Sequence, residues 1–298
     1  MEDDTLKKIT PFLWYDESAE EAMQLYASLL DDSQVLDVSR LPGETPDAPG
    51  KVTLVTARLA GREVQAMNGG PGHPHTPSAS LFAGCETVEQ VDRLWEGLSG
   101  DGVALMPLDA YPFSERFGWV MDRYGVSWQI SLTGQTQSVT PFLMLTGENV
   151  GKAEAAVGFY TSLFPDSGVD SVAKDDNGHV TMAAFRLRGE PFILNESDYD
   201  HGFTFSDAFS FFVSCDTQDE VDTLWTALTA DGGEPVQCGW LKDRYGVSWQ
   251  VIPVRLMDLM GDPDPEKAGR VVQAMLKMVK IDVAGLEAAY AGETAPSS

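Results

Sequence analysis

The sequence predicts an α+β fold in which a strand–helix–three-strand unit occurs four times and a helical extension follows. Three observations carry this. The stretch "DRYGVSWQI" at 122–130 returns as "DRYGVSWQV" at 243–251. "TPFL" at 10–13 and "ETVEQVDRLW" at 86–95 return 130 residues later as "TPFL" and "DTQDEVDTLW". "VTLVTARLAG" at 52–61 returns 128 residues later as "VTMAAFRLRG". Matches spread over this length of chain mean two copies of one domain. The nonapeptides are only 121 residues apart, so the first copy carries nine extra residues before its last strand. They fall within "ALMPLDAYPFSERF", where the second copy has "EPVQC".

Each element has a local reason. "KITPFLWY" is rich in β-formers and aromatics and reads as a strand. In "SAEEAMQLYASLL", Ser18 is the expected N-cap, with Glu21 completing a capping box, and Ala22, Leu25, Tyr26 and Leu29 fall at helical spacing. Strands "SQVLDVSRL", "KVTLVTARLA" and "EVQAMN" follow, the last two joined through Gly61-Arg62. "NGGPGHPHTP" at 68–77 is a Gly/Pro linker. The pattern then restarts with strand "SASLFAGC" and helix "VEQVDRLWEGLS", whose Val88, Val91, Leu94, Trp95 and Leu98 form a core-facing stripe. The expected domains are 6–134 and 138–256, with a helical extension over 257–298. In that extension Asp264 caps a helix with Pro265 at its first position, and Asp282 caps a shorter one ending near Gly292. Its Met-rich face is expected to dock on the body.

Composition excludes several partners. The chain has 298 residues, 43% of them apolar, enough for two cores. Its formal charge of −26 repels nucleic acid and anionic membrane surfaces. The excess is spread evenly, −12 over 1–135 and −14 over 136–298, as on a solvated acidic surface. No apolar run has the length of a membrane span, and the first residues lack the apolar core of a secretory signal. Three cysteines without CxxC spacing fit reduced thiols, hence a cytoplasmic protein.

Four βαβββ units with "FLWYD…AEEAMQLY", "MNGG", "CETVEQVDRLW" and "CGWLKDRYGVSWQV" resemble the PhnB-like, or 3-demethylubiquinone-9 3-methyltransferase-like, branch of the vicinal-oxygen-chelate superfamily. That superfamily also holds glyoxalase I, extradiol dioxygenases and bleomycin-resistance proteins. The resemblance spans residues 6–256 and extends to the tail. It implies paired βαβββ units closing a cupped mixed sheet around a small ligand, and tandem copies packed as a pseudo-dimer within one chain. A further homodimer is left open.

In metal-dependent members the last strand ends in a form similar to D-P-x-G-x-x-x-E. Laid on "DRYGVSWQ", the ligand Glu falls on Gln129, and on Gln250 in the second copy; where an opening strand commonly offers His, this chain has Ser80 and Ser210. Neutral oxygens hold a divalent ion poorly, so the resemblance implies a cup without its metal. A metal held by atypical oxygen ligands is disfavoured, and no other cofactor is expected. Alternation puts Trp128 on the face opposite Gln129. Trp119 and Trp240 are candidate cavity walls. Asn68 and Asn195 end corresponding strands near another ligand position of the superfamily, although "NGG" also suits a turn. Cys238 is a weak nucleophile candidate, since no His neighbours it. His73 and His75 read as surface-loop residues. The cup of the second copy, with Asn195, Ser210, Trp240 and Gln250, is the expected ligand site. The function expected is small-molecule binding or metal-independent catalysis; a metal-dependent lyase, isomerase or dioxygenase is the alternative. A methyltransferase comes third, because "NGGPG" opens no doubly wound sheet around a nucleotide-binding crevice.

Overall fold

The computed structural model describes residues 9–40 and 50–293, so Lys8 and Leu41, expected at strand ends, lie outside the described residues. The first copy opens with β1 (Ile9–Tyr15), α1 (Ala19–Leu29), β2 (Gln34–Arg40), β3 (Val52–Leu59) and β4 (Arg62–Asn68). Its second unit is β5 (Ala79–Cys85), α2 (Val88–Ser99), β6 (Val103–Tyr111), β7 (Ser114–Met121) and β8 (Ser127–Leu132). The second copy repeats this with β9 (Ser138–Leu145), α3 (Ala153–Leu163), β10 (Gly168–Lys174), β11 (Val180–Leu187) and β12 (Glu190–Glu196). Its last unit is β13 (Phe209–Cys215), α4 (Gln218–Thr229), β14 (Glu234–Pro235), β15 (Trp240–Lys242) and β16 (Ser248–Pro253). The extension forms α5 (Val254–Met260), α6 (Pro265–Met275) and α7 (Val283–Ala291). This is a tandem α+β fold of four βαβββ units with a helical tail.

The chain forms two compact units, one spanning Thr10–Phe209 and the other containing Ser210 onward. Within the first lies an eight-stranded mixed sheet in the order β10-β11-β12-β9-β5-β8-β7-β6. Its two halves come from different sequence copies: the second unit of copy one and the first unit of copy two. They join where β5 runs antiparallel to β9, with Ser80 opposite Phe142 and Phe82 opposite Thr140. Away from the join, β8 runs parallel to β5 and β12 parallel to β9. Only residues 133–137 separate β8 from β9, and so short a link keeps both in one sheet, on either side of β5.

The nine extra residues lengthen one hairpin. In the first copy β6 and β7 pair from Val103–Met121 to Tyr111–Ser114. The corresponding second-copy hairpin is only the two pairs of β14 with β15.

Both helices of the eight-stranded sheet cover one face, α2 on β5–β8 and α3 on β10–β12. Beneath α2, Leu81, Ala83, Val120, Trp128 and Ile130 are fully buried. Beneath α3, Ala183, Phe185, Phe192 and Leu194 do the same. Burying each large apolar side chain stabilises the fold by about 1.5–3 kcal/mol. Of the predicted α2 stripe, Val91, Leu94 and Leu98 are buried, whereas Val88 in the first turn is exposed.

Helix caps differ in part from the local reading. Thr87 and Gln90 form a reciprocal capping box on α2, and Asp264 and Asp282 cap α6 and α7 as expected. Ser18 makes no side-chain cap on α1. The carboxamide of Asn68, at the end of β4, accepts the Ala19 N–H instead, at 2.9 Å.

Candidate functional site

The repeated nonapeptide is organised by its first residue. Asp122 Oδ1 accepts the backbone N–H groups of Tyr124 and Val126, at 2.9 and 3.0 Å. Asp243 repeats this with Tyr245 and Val247, at 2.8 and 3.1 Å. The other carboxylate oxygen accepts the indole N–H six residues on, Trp128 at 3.1 Å and Trp249 at 2.9 Å. The turn needs a residue in the left-handed region, supplied by Gly125 (φ 84°) and Gly246 (φ 87°). In the first copy Tyr26 also donates to Asp122, at 2.5 Å. Burial raises the Asp122 carboxyl above its usual range despite these bonds. "DRYGVSW" is therefore a buried-carboxylate turn that locks a core tryptophan, and it delivers the next residue, Gln, to the opposite face.

That opposite face carries no helix. Ser80 is level with Ser127, and Phe82 with Gln129 and, through it, Trp119. Across the join, Ser80 faces Phe142 and Phe82 faces Thr140. Beyond β9, Ile193 is level with Phe142 and Asn195 with Met144. The Ser80–Phe142 pair marks a local two-fold. Two residues past Ser80 on β5 stands Phe82, level with Gln129; two residues past Phe142 on β9 stands Met144, level with Asn195. Gln129 and Asn195 are thus corresponding positions flanking one centre.

Polar satisfaction on this face is uneven. The Trp119 indole donates to Ser127 Oγ at 2.8 Å, and Ser127 and Ser80 share a 2.8 Å hydrogen bond. Gln129 is 8% exposed, and its side chain makes no hydrogen bond to the described residues. Asn195 Oδ1 is fully buried and has no partner. An unpaired buried amide costs about 1–3 kcal/mol, so such groups mark places where a ligand or water completes the bonding. Phe82 and Phe142 stack with centroids 6.3 Å apart, and Phe117 meets the hairpin aromatics Tyr111 and Phe113 at 5.8 and 5.0 Å. The result is an apolar face with a few neutral amides and hydroxyls near its centre.

The second-copy candidates are arranged differently. Ser210, Trp240 and Gln250 share a face of β13, β15 and β16, with Ser210 level with Ser248 and Trp240 with Gln250. Gln250 Nε2 donates to Ser210 Oγ at 3.0 Å, so this amide has a partner. Ile252, two residues beyond Gln250 on the same face, is the start of the tail core with Leu256, Leu259, Val271, Ile281 and Leu286. Phe212, level with Gln250, packs against that core with Met275 and Met278. The Met-rich face thus docks on the body. Cys238 and Gly239 donate backbone N–H bonds to Met278 O and Val279 O, both 2.8 Å. Burial raises the Cys238 thiol above its usual value, which disfavours the thiolate.

Asn195 and Asn68 do not correspond. At the 128-residue offset, Asn68 matches Glu196, and both cap helices from the helix side of their strands. Glu196 accepts from Gly151 and Ala153 at the start of α3, while Asn68 serves Ala19 and donates to Val52 O. Asn195, one residue earlier, faces the other way. Of the first-copy candidates Ser80, Trp119 and Gln129 come together on one face with Asn195 from the second copy. That grouping crosses the sequence copies, as the sheet does.

The histidines lie away from this face. His75 donates to Trp14 O at 2.9 Å, and burial lowers its pKa to about 4. His73 pairs with Asp207 at 2.9 Å. Cys85 and Cys215 are core residues, as expected. The donor chemistry of the helix-free face does not fit a divalent cation: Gln129, Asn195, Ser80 and Ser127 offer neutral oxygens only. Among the described residues no group of three His, Cys, Asp or Glu side chains assembles elsewhere.

Fold and face together define a glyoxalase-like protein with a neutral polar centre. The sequence model of the 3-demethylubiquinone-9 3-methyltransferase family matches residues 7–131 and 137–252, and the chain belongs to that family. A putative 3-demethylubiquinone-9 3-methyltransferase, PhnB protein, from Bacillus cereus is 43% identical over 43% of this chain and all of its own, with a TM-score of 0.40. A Staphylococcus aureus protein is 33% identical over 43% of this chain and 97% of its own, with a TM-score of 0.18. Glyoxalase I from Zea mays matches in fold, with a TM-score of 0.53 over 85% of this chain and 95% of its own at 11% identity. No protein of curated function matches. No helix of the described residues is long and apolar enough to cross a membrane.

Proposed function

We propose that the chain binds a small organic molecule on the helix-free face of the eight-stranded sheet, without a metal. The observation that carries this is a pair of amides in corresponding positions either side of the Ser80–Phe142 pair: Asn195, whose buried Oδ1 has no partner, and Gln129, whose side chain bonds to none of the described residues. A molecule lying over that pair meets one amide at each end and the aromatic walls of Phe82, Phe142 and Trp119 between them. Such a site suits an apolar body bearing uncharged donors and acceptors, since amides orient polar groups and ring faces supply contact. Three cysteines outside any disulfide support a reducing, cytoplasmic setting. The second-copy face is the weaker candidate, because Gln250 is already bonded to Ser210.

The test combines metal analysis with calorimetry. Protein incubated with Mn, Fe, Co, Ni and Zn and then desalted is expected to retain no stoichiometric ion. Stoichiometric metal lost on Gln129→Ala points instead to a metal-dependent lyase, isomerase or dioxygenase. Titration with a set of uncharged aromatic amides is expected to give saturable binding that Gln129→Ala and Asn195→Ala each weaken about tenfold. A saturable signal for S-adenosylmethionine moves the reading to the methyl transfer named by the family.

A further inference from the structure

The Gly/Pro linker and the turn of the nonapeptide enclose a second cavity, away from the helix-free face. It has a volume of about 600 Å³ and is lined by Trp14, Tyr15, Asp16, His73, His75 and Tyr124, among others. The rings meet one another. Trp14 and His73 have centroids 4.3 Å apart, Tyr15 and His75 5.6 Å, and Tyr15 and Tyr124 6.4 Å in an edge-to-face contact. The linker needs glycine at 69 because its backbone there lies against Trp14, and at 70 and 72 because φ is positive. A Cβ on Gly69 would sit 2.1 Å from the indole ring, and the indole N–H donates to Gly70 O at 2.8 Å.

The lining of the cleft holds one carboxylate, Asp16, and one fixed cation, Arg123. Arg123, the one cation lining it, is committed: its guanidinium donates to Glu21 at 3.1 Å and to the Tyr124 hydroxyl at 2.7 Å, and lies 4.9 Å from the Tyr124 ring centroid. Tyr124 in turn donates to Glu21. His73 is paired with Asp207. His75 is an uncharged ring whose Nε2–H is spent on Trp14 O, which leaves Nδ1 as an acceptor. The Asp16 carboxylate at the rim has no cation of the described residues within ion-pair distance.

The duplication repeats the arrangement with different residues. At the same place in the second copy is a cleft of about 470 Å³ lined by Tyr199, His201 and Phe203 with Asp198 and Asp200. His201 and Phe203 stack at 5.0 Å, and Tyr199 meets His201 at 5.1 Å. Aromatic rings and carboxylates recur at this place although the individual residues have changed.

We propose that the first of these clefts is a binding site for an organic cation, a protonated or quaternary amine. The ring faces attract positive charge, the neutral imidazole accepts an N–H, and Asp16 supplies the counter-charge. The net acidity of the chain adds a long-range pull on such a ligand.

The experiment is an NMR titration of the full chain with choline and with its uncharged carbon isostere, dimethylbutanol. Choline is expected to shift the Trp14 indole and Gly70 amide signals to saturation, and the alcohol to bind about tenfold more weakly. Asp16→Asn and Tyr124→Leu, both near the surface, are each expected to weaken choline about fivefold. Val169→Ser, an exposed residue of β10 outside the cleft lining, titrates like the parent chain. Shifts that never saturate, equal responses to alcohol and cation, or unchanged affinity in both variants would overturn the assignment.

Discussion

Arg62 and Glu190 hold the same position in the two sequence copies, and they face each other. Each follows the glycine that turns the third strand of its copy into the fourth, and their charged ends approach to 3.7 Å. Arg62 is almost wholly buried. It donates to Pro191 O at 2.9 Å and lies 5.3 Å from the Phe192 ring centroid. Burial lowers its pKa to about 10, and Glu190 acts against that fall. Two identical halves meeting here would set like residues against like. Divergence after duplication has instead written complementary charges.

Removing one partner is therefore costly. Glu190→Gln leaves the buried guanidinium without its counter-charge and is expected to destabilise by about 1–3 kcal/mol in urea unfolding. Arg62→Glu alone costs more, because it places two carboxylates together. The exchanged pair, Arg62→Glu with Glu190→Arg, recovers part of that loss; a double-mutant cycle without coupling would show that the pair does not interact.

The turn carboxylates can be separated by pH. Asp122 has a folded pKa raised above its unfolded value, so the folded state takes up a proton first as pH falls. Its contribution to stability therefore improves on going down through the raised pKa to the usual carboxylate range. Asp122→Asn is expected to abolish this segment of the pH–stability curve. At neutral pH it costs about 1–3 kcal/mol through weakened bonds to Tyr26 and the turn amides.

His75 acts in the opposite direction. Its folded pKa, about 4, lies below that of the unfolded chain, so acid protonates the unfolded state first. Stability is fully present above the ordinary histidine range and falls as pH drops toward 4. His75→Gln is expected to flatten that decline between about pH 6.5 and 4. An NMR titration showing His75 with an ordinary pKa would sink the prediction.

The helical tail is held by a side chain on α4. Gln218 donates to Ile281 O at 3.1 Å and accepts from Val283 N at 2.8 Å. Gln218→Ala is expected to loosen α7 by about 1–3 kcal/mol, read as faster amide exchange confined to the tail. Ile281→Ala opens a cavity beside Ile252 and is expected to cost about 2–5 kcal/mol by the same readout.

The repeat and its strand–helix pattern were legible because they rest on local periodicity. Trp128 and Gln129 fall on opposite faces, as alternation along a strand requires. What was not legible depends on contacts between distant residues. Asn68 displaces Ser18 as the cap of α1 from 49 residues away, and no local pattern reports it. Asn195 and Asn68 look equivalent because each stands near the end of a strand, yet the 128-residue offset sets Asn68 against Glu196. One position of slip exchanges the two faces of a strand. The bond between Gln250 and Ser210, and the freedom of Gln129, likewise depend on rotamers that the twin motifs cannot distinguish.

Because one of the two neighbours of β5 is β9, from the second copy, the order of synthesis matters. The ribosome completes the entire first repeat before that neighbour exists. Until then the edges of β5 and β9, and the apolar floor between them, have no partner to cover them. A gene split in the linker at 133–137 would therefore yield two polypeptides, neither holding a finished sheet. Mixed together they would have to find each other, and either alone would be driven to pair with a second copy of itself.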